Sequence, residues 1–224
     1  LYSSAASDVY KRQELIGAKE EEVIFTGCGT ESNNMVLKSL ARIYGRKTSR
    51  VITCEIEHSA VLRPCQAMED VGFEVHRCGV DGEGRLRLDE FREACEGAET
   101  GFSTIMWANN ETGVIQPVGE ACEIAKENGI AFHTDAIQAV GKTTVNVREV
   151  PVDFLSISGH KFHAPKGIGA LYLREGVRFE PLIRGGGQES GHRSGTENVA
   201  YIVGLGKAAA IMKAALERDQ HAEI

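Results

Sequence analysis

Short apolar, β-rich runs alternate with longer segments of helical period along most of the chain. The short runs predict seven strands, at residues 22–26, 50–54, 73–77, 103–108, 130–134, 153–157 and 168–173. The longer segments predict five helices, at about 31–44, 59–71, 88–96, 118–128 and 197–216. Strands that alternate with helices are typical of α/β proteins, so the pattern predicts a mainly parallel seven-stranded sheet with helices on both faces.

The two ends of the chain depart from this pattern. Residues 1–13 (LYSSAASDVYKRQ) show no clear periodicity and resemble adaptor-derived sequence, so we expect them to lie outside the fold. The helical pattern that starts near Thr196 runs to Ile224 without a stop signal. We therefore expect residues 14–224 to form one incomplete domain of a longer protein.

Composition and charge restrict the class of partner. With 42% hydrophobic and 25% charged residues, the 224-residue chain has the balance of a soluble globular protein. The formal charge is −7 and the basic residues are scattered, which argues against binding to nucleic acid or to an anionic membrane. No apolar stretch approaches 18 residues and no signal peptide is evident, so we expect a cytoplasmic protein.

The cysteines and histidines do not suggest a metal site. The six cysteines are spread singly, without a C-x-x-C pair, so a zinc ribbon or a disulfide framework is not expected and most should be buried. Neither His160 nor His163 has a carboxylate or a cysteine at a ligand spacing. The 25 glycines cluster between apolar runs, a pattern that indicates backbone turning around a ligand.

Polar segments follow the predicted strands, where an α/β sheet binds its ligands. Residues 27–32 (GCGTES) could present helix-start N–H groups to a phosphate, or form a turn capped by Thr30. Asp135 could bond a protonated ring nitrogen or cap a helix, and Lys161 could form a Schiff base or be a solvated charge. Together, a phosphate cup, an acid and a lysine favour pyridoxal 5′-phosphate.

Six segments then carry a resemblance to a known family. They are FTGCGTESNN, EHSAVL, NNETGVIQP, HTDAIQAVGK, SISGHKFHAPKGIGALY and GGGQESGHRSGTEN. In order and rough spacing they resemble the motifs of the cysteine desulfurases, in the class V aminotransferase group of fold type I pyridoxal-phosphate enzymes. The resemblance runs from about Glu14 to the last residue. It implies the large domain of that fold, with the small C-terminal domain missing.

The resemblance implies two sets of contacts to the cofactor phosphate. Gly29 and Thr30 would bind the phosphate, and Ser158 and His160 would complete that cup. Thr196 would reach the phosphate of the neighbouring subunit. The resemblance therefore implies a homodimer.

The resemblance also assigns the residues around the ring. His58 would stack on the pyridine ring and take part in proton transfers, and Lys161 would carry the cofactor as a Schiff base. Asn110 and Gln138 would bond the phenolic oxygen. Asp135 would pair with the pyridinium nitrogen.

The implied reaction converts L-cysteine to L-alanine and leaves the sulfur as an enzyme persulfide. That sulfur would pass to an acceptor or an iron–sulfur scaffold protein. The family's persulfide-forming cysteine and carboxylate-binding arginine lie beyond the RSGT turn, and we expect this chain to stop before both and not to desulfurate cysteine alone. Cys28, inside the phosphate motif, is expected to pack as a small residue. The alternatives are a selenocysteine lyase, an aminotransferase, or a non-catalytic cofactor-binding scaffold.

Overall fold

The structure is a computed structural model that describes residues 14–45 and 49–218. The prediction for residues 1–13 concerns a segment outside this range. Within the range the strands are β1 (Val23–Thr26), β2 (Ser49–Cys54), β3 (Glu74–Cys78), β4 (Thr100–Thr104), β5 (Ala131–Asp135), β6 (Phe154–Ser158) and β7 (Gly169–Leu173). The α-helices are α1 (Gly29–Tyr44), α2 (Ser59–Glu69), α3 (Leu88–Glu96), α4 (Val118–Glu127) and α5 (Val199–Glu217). Short 3-10 turns cover Glu20–Glu22, Gly159–Phe162 and Gln188–Gly191.

The seven strands form one sheet in the order β1-β7-β6-β5-β4-β2-β3. β7 runs antiparallel to both of its neighbours, whereas the pairs among β2, β3, β4, β5 and β6 are parallel. The carboxyl ends of the parallel strands therefore meet at one edge of the sheet. The start of β7 lies at that edge too, because Gly169 pairs with both Ser158 and Thr26. The predicted mainly parallel sheet is confirmed.

Helices cover both faces of the sheet, as predicted. On one face α1 and α2 bury residues such as Leu37 and Val61 against Phe102 and Phe154. On the other face α3, α4 and α5 pack against Phe132, Leu155 and their neighbours. Because both faces are covered, the inner strands β4, β5 and β6 are buried along nearly their whole length instead of alternating between buried and exposed residues. Polar side chains can then reach solvent only at the strand ends.

The fourth strand differs from its predicted range of 103–108. β4 ends at Thr104, opposite Thr53 of β2. Beyond that point the chain stays bonded to β5, through Ile105 N to His133 O (3.1 Å) and Trp107 N to Asp135 O (2.9 Å). The segment leaves the ladder on its β2 side because β2 has already ended. Residues 105–107 thus continue along β5 as an extended segment, but they have a strand partner on that side only.

Helix α5 changes one expectation drawn from composition. It has 19 residues and an 18-residue window of mean hydropathy 1.5, enough by length and composition alone to cross a membrane. The expectation that no apolar stretch approaches the length of a membrane span is wrong for α5. Lys207 and Lys213 interrupt the apolar residues, but the mean hydropathy of the helix stays high. Ile202, Leu205 and Met212 of α5 are buried in the core, whereas Val199, Tyr201 and Ile211 of the same helix are exposed.

Candidate active site

One cavity of about 340 Å³ opens at the carboxyl edge of the sheet. Nine of the ten predicted site residues line it: Gly29, Thr30, His58, Asn110, Asp135, Gln138, Ser158, His160 and Lys161. They come from the ends of β1, β2, β5 and β6 and from the loop beyond β4. Residues that are far apart in the sequence therefore form one site, because the parallel sheet brings its strand ends together.

The start of α1 forms the floor of the cavity. A Cβ on Gly29 would overlap Cδ1 of Ile137 and lie 3.2 Å from Cβ of Ser158, so a larger residue there would have to displace the Ile137 side chain. The first N–H groups of a helix have no intrahelical acceptor and carry partial positive charge. Ser158 Oγ and His160 Nδ1 lie 3.0 Å apart beside this turn. Glycine, helix start and hydroxyl together make a cradle suited to an anion.

Cys28 does not pack inside the fold as expected. It is half-buried and lines the cavity beside Gly29. Its backbone is extended at the N-cap of α1, and the cap has no side-chain hydrogen bond. The position directly before a helix start is a surface position in this fold, which is why a small apolar residue there remains open to the cavity.

Asp135 stands at the end of β5 and is only 4% exposed. Its Oδ1 accepts from Ile137 N (3.0 Å) and its Oδ2 from Asn33 Nδ2 (2.6 Å). Burial raises the pKa of the Asp135 carboxyl, while these two bonds and the nearby His58 oppose that rise. Within residues 14–45 and 49–218, no Lys or Arg forms an ion pair with Asp135. The site thus holds a buried acid that lacks a cation.

Asn33 was missed by the sequence analysis. It lies on the buried stripe of α1 and is fully buried, and its Oδ1 has no hydrogen-bond partner in the described residues. A polar residue on an apolar helix stripe needs a polar partner. Applied to the ESNN segment, that rule would have predicted that Asn33 binds a polar group at the edge of the sheet.

His58 caps α2 and lines the same cavity as Asp135. Its Nδ1 accepts a hydrogen bond from Ala60 N at 3.1 Å. The neutral ring must therefore carry its hydrogen on Nε2. Glu57, the residue before it, was also missed and is buried, with 5% exposure.

Gln138 and Asn110 supply amide groups to the cavity, as predicted. Gln138 Oε1 accepts from Lys142 Nζ at 2.6 Å, which leaves its Nε2 group as a donor. Burial, followed by the charge of Lys161, lowers the pKa of Lys142. An amide donor that faces a cavity is suited to an oxygen acceptor on a ligand.

Lys161 lies in the turn directly after β6 and is half-buried. The turn ends at His163, whose φ of 68° is in the left-handed region, and Ala164 N closes it with a 3.0 Å bond to Gly159 O. Burial lowers the pKa of His160, and the charges of Lys161 and Lys166 add to that effect. The amine is therefore held on a short, closed turn at the cavity wall.

Thr196 is the predicted site residue that does not line this cavity. It is exposed and borders a separate hollow of about 230 Å³ with Gly27, Arg193 and Gly195. In its own chain it is thus placed apart from the other nine. Its assignment to a neighbouring subunit's phosphate stays a prediction.

The remaining cysteines are buried. Burial raises the pKa of the thiols of Cys54, Cys65, Cys78 and Cys95 to about 12, and that of Cys122 to about 11. All six cysteines are free of disulfides. In the part of the chain that the structure describes, no group of three His, Cys, Asp or Glu is placed to hold a metal ion.

Comparison with known proteins matches this geometry. The cysteine desulfurase IscS of Dictyoglomus turgidum is 51% identical over 213 residues, which are 95% of this chain and 53% of that relative. A solved NifS-like protein has a TM-score of 0.92 and 39% identity, covering 97% of this chain and 60% of that one. The structure described as SspA in complex with cysteine has a TM-score of 0.87 and 38% identity, with coverages of 93% and 60%.

These relatives are longer than the chain. It spans about half the length of the curated relatives it matches. The family model for aminotransferase class V matches residues 7–224, nearly the whole sequence. The chain therefore belongs to the class V aminotransferase family.

Proposed function

We propose that this chain is the cofactor-binding part of a cysteine desulfurase, which binds pyridoxal 5′-phosphate in the cavity and removes sulfur from L-cysteine. Members of the family are pyridoxal-phosphate enzymes. Relatives that are 51% identical are named cysteine desulfurases. The observation that carries the proposal is the buried carboxyl of Asp135, which has no Lys or Arg partner among the described residues and shares one cavity with an amine and an anion cradle.

The described residues fit three functional groups of the cofactor, which are the ring nitrogen, the phosphate and the aldehyde. A pyridinium N–H would supply the positive charge that buried Asp135 lacks. The phosphate dianion fits the start of α1, whose first N–H groups border the cavity and have no intrahelical acceptor. The aldehyde would be held covalently by Lys161, the lysine that lines the cavity.

When bound, the cofactor withdraws electrons from the Cα of an attached amino acid. The chain's residues then divide the remaining tasks. Lys161 Nζ takes the proton from Cα as a general base, and Nε2 of His58 is the second site that can give or receive a proton. Asp135 stays ionised against the ring nitrogen, with Asn33 and the Ile137 amide fixing its two oxygens.

Removal of sulfur needs a thiolate that attacks the substrate Sγ. The five buried cysteines do not serve, because their thiols are desolvated and have pKa values of about 11 or 12. Cys28 lines the cavity but sits at the phosphate end, beside Gly29. We assign the sulfur-accepting thiol to another segment of the longer protein, together with the carboxylate-binding arginine. An iron–sulfur scaffold or another sulfur acceptor would then take the sulfur.

Reconstitution with pyridoxal phosphate tests the proposal. The chain should gain a visible absorption band, and L-cysteine in D₂O should shift that band and acquire deuterium at Cα. Little sulfide should form from L-cysteine and dithiothreitol, because the accepting thiol is absent. Absence of the band contradicts the proposal. Sulfide production at the rate of a full-length relative, abolished by Cys28→Ala, would move the sulfur-accepting role to Cys28.

A further inference from the structure

Glu57 is a buried acid in the wall of the site that the steps above do not use. It is 5% exposed, and its Oε1 accepts a hydrogen bond from Met106 N at 2.6 Å. Met106 lies in the segment beyond β4 that has lost its strand partner on the β2 side. The Glu57 carboxyl therefore takes the place of the missing strand and caps that edge of the sheet.

A second bond joins the same two segments. Asn109 Nδ2 donates to Ile56 O at 3.0 Å, while Asn109 Oδ1 accepts from the backbone N–H groups of Glu111 and Thr112, both at 2.9 Å. The residues adjacent to this bridge are His58 on one segment and Asn110 on the other, and both line the cavity. The relative placement of His58 and Asn110 is set through Glu57 and Asn109.

We propose that Glu57 is a positioning residue, which fixes the turn that carries His58 against the loop that carries Asn110. This rests on the proposed function, because its consequence is the shape of the pyridoxal-phosphate site. Glu57 itself makes no contact with the cofactor cavity's contents, since it is not among the residues that line that cavity. Its effect on binding therefore passes through its neighbours.

The bond works with a protonated carboxyl. Oε2 of Glu57 has no hydrogen-bond partner in the described residues, so a carboxylate there would be desolvated without compensation. Burial raises the pKa of Glu57 well above its usual value, and the nearby charge of Asp135 raises it further. The thiols of Cys54 and Cys65 and the ring of His58 are further titratable groups near Glu57.

Charged residues at the surface near Glu57 do not alter this conclusion. Glu55, Arg63 and Arg77 border a hollow that Glu57 also lines. None of them forms an ion pair with Glu57 within residues 14–45 and 49–218, and Arg77 is engaged by Glu69 at 2.7 Å. A neutral Glu57 lets Asp135 carry the negative charge alone, since two buried like charges oppose each other.

Amide exchange at Met106 in the cofactor-free protein tests the bridge directly. Glu57→Gln keeps an acceptor oxygen in the same place and should retain the protection of Met106 N–H. Glu57→Leu fills the volume without an acceptor and should exchange roughly tenfold faster. Glu55→Gln, on the same turn but exposed, is the matched control and should change nothing. Unchanged protection in Glu57→Leu would overturn the bridge.

The pH dependence of unfolding tests the protonation state, and it needs only the wild type and Glu57→Gln, which is isosteric. A carboxyl whose pKa is raised on folding binds more proton in the folded state above its unfolded pKa. Wild type should therefore lose stability relative to Glu57→Gln as the pH rises above about 4.3. A difference in stability that stays constant with pH would contradict a neutral Glu57.

Titration with pyridoxal phosphate connects the bridge to the site. Glu57→Gln should bind the cofactor within about twofold of wild type, whereas Glu57→Leu should bind at least about tenfold more weakly. Equal loss in both variants would show that a carboxylate charge is needed and would overturn the inference. If wild type fails to bind at all, the proposed function fails, while exchange at Met106 and the pH series still decide the role of Glu57.

Discussion

Two regions that contain predicted site residues, the end of β5 and residues 188–196, are built in opposite ways. At the end of β5, Asp135 is buried and both of its oxygens accept hydrogen bonds. The segment from Gln188 to Thr196 is mostly half-buried or exposed and has two non-glycine residues, Glu189 and Ser190, at φ values of 48° and 53°. It is attached to the domain by an ion pair between Arg193 and Glu31, with Nε and Oε1 2.8 Å apart, and by a hydrogen bond from Phe25 N to Glu189 Oε2 at 2.8 Å.

The difference separates the part of the site that one chain forms by itself from the part that it would present to a second chain. The Asp135 side is organised by sheet packing and needs only the ligand. The 188–196 segment, in contrast, holds left-handed backbone that costs about 1 kcal/mol or more per residue and presents Thr196 away from its own cavity. We interpret it as a surface arranged for a second subunit, and the predictions below test that division.

The largest effect is expected at Lys161. Lys161→Ala removes the amine that lines the cavity, so the visible band and the borohydride-stable adduct should be lost completely. Lys166→Ala, a neighbouring exposed lysine, is the control and should retain both. Mass spectrometry of the reduced protein locates the label. An adduct on Lys166 would overturn the assignment of Lys161.

Asp135→Asn should separate binding from chemistry. The amide keeps the side-chain shape but loses the charge that holds the ring-nitrogen proton, a bond worth about 1.5 to 3 kcal/mol. Deuterium exchange at Cα of L-cysteine should slow by roughly 10- to 100-fold, and affinity for pyridoxal phosphate should fall by a smaller factor.

Asp153→Asn is the matched control for this prediction. Asp153 also accepts a backbone bond, from Phe132 N at 2.8 Å, but it precedes β6 and so lies at the opposite edge of the sheet. It should leave exchange unchanged. Equal exchange rates in Asp135→Asn and the wild type would count against Asp135 as the partner of the ring nitrogen.

The contrast between the two regions also explains what the sequence could predict. The strand-end residues were found because a parallel sheet places its carboxyl ends together and because each bears a recognisable polar group. Asn33 and Glu57 were not found, because their roles depend on which side chain lies across the cavity wall. The end of β4 was misplaced for the same reason, since a strand's last residue is set by where its neighbour β2 stops.

Mixing two variants that each lack an intact site tests whether Thr196 acts in the site of the partner subunit. If Thr196 serves a partner's phosphate, a dimer of one Lys161→Ala chain and one Thr196→Ala chain has one site with both lesions and one intact site. Random mixing would then restore up to about a quarter of the sites. Spectral titration with pyridoxal phosphate measures the recovery. No recovery above the two parents would place Thr196 within its own chain's site.

The smallest effect is expected at the ion pair that holds the 188–196 segment. Glu31 Oε2 also accepts from Gly27 N at 2.8 Å, and the side chains of Glu31 and Arg193 are 18% and 22% exposed. Glu31→Gln keeps the bond to Gly27 but weakens the attraction to Arg193, a loss of about 1 kcal/mol for a partly solvated pair. The segment should then open roughly fivefold more often.

Limited trypsin digestion measures that opening as the rate of cleavage after Arg193. The increase in Glu31→Gln should shrink at high salt, where the wild-type pair is itself screened. Glu180→Gln is the control, because Glu180 pairs with the more exposed Arg184 at 3.4 Å and has no contact with Arg193 in the described residues. Cleavage after Arg193 at the wild-type rate in Glu31→Gln would show that other hydrogen bonds hold the segment, such as Phe25 N to Glu189 Oε2 at 2.8 Å and Ser194 Oγ to Gly186 O at 2.7 Å. The segment would then be preorganised in the same way as the Asp135 side, and the contrast between the two regions would no longer hold.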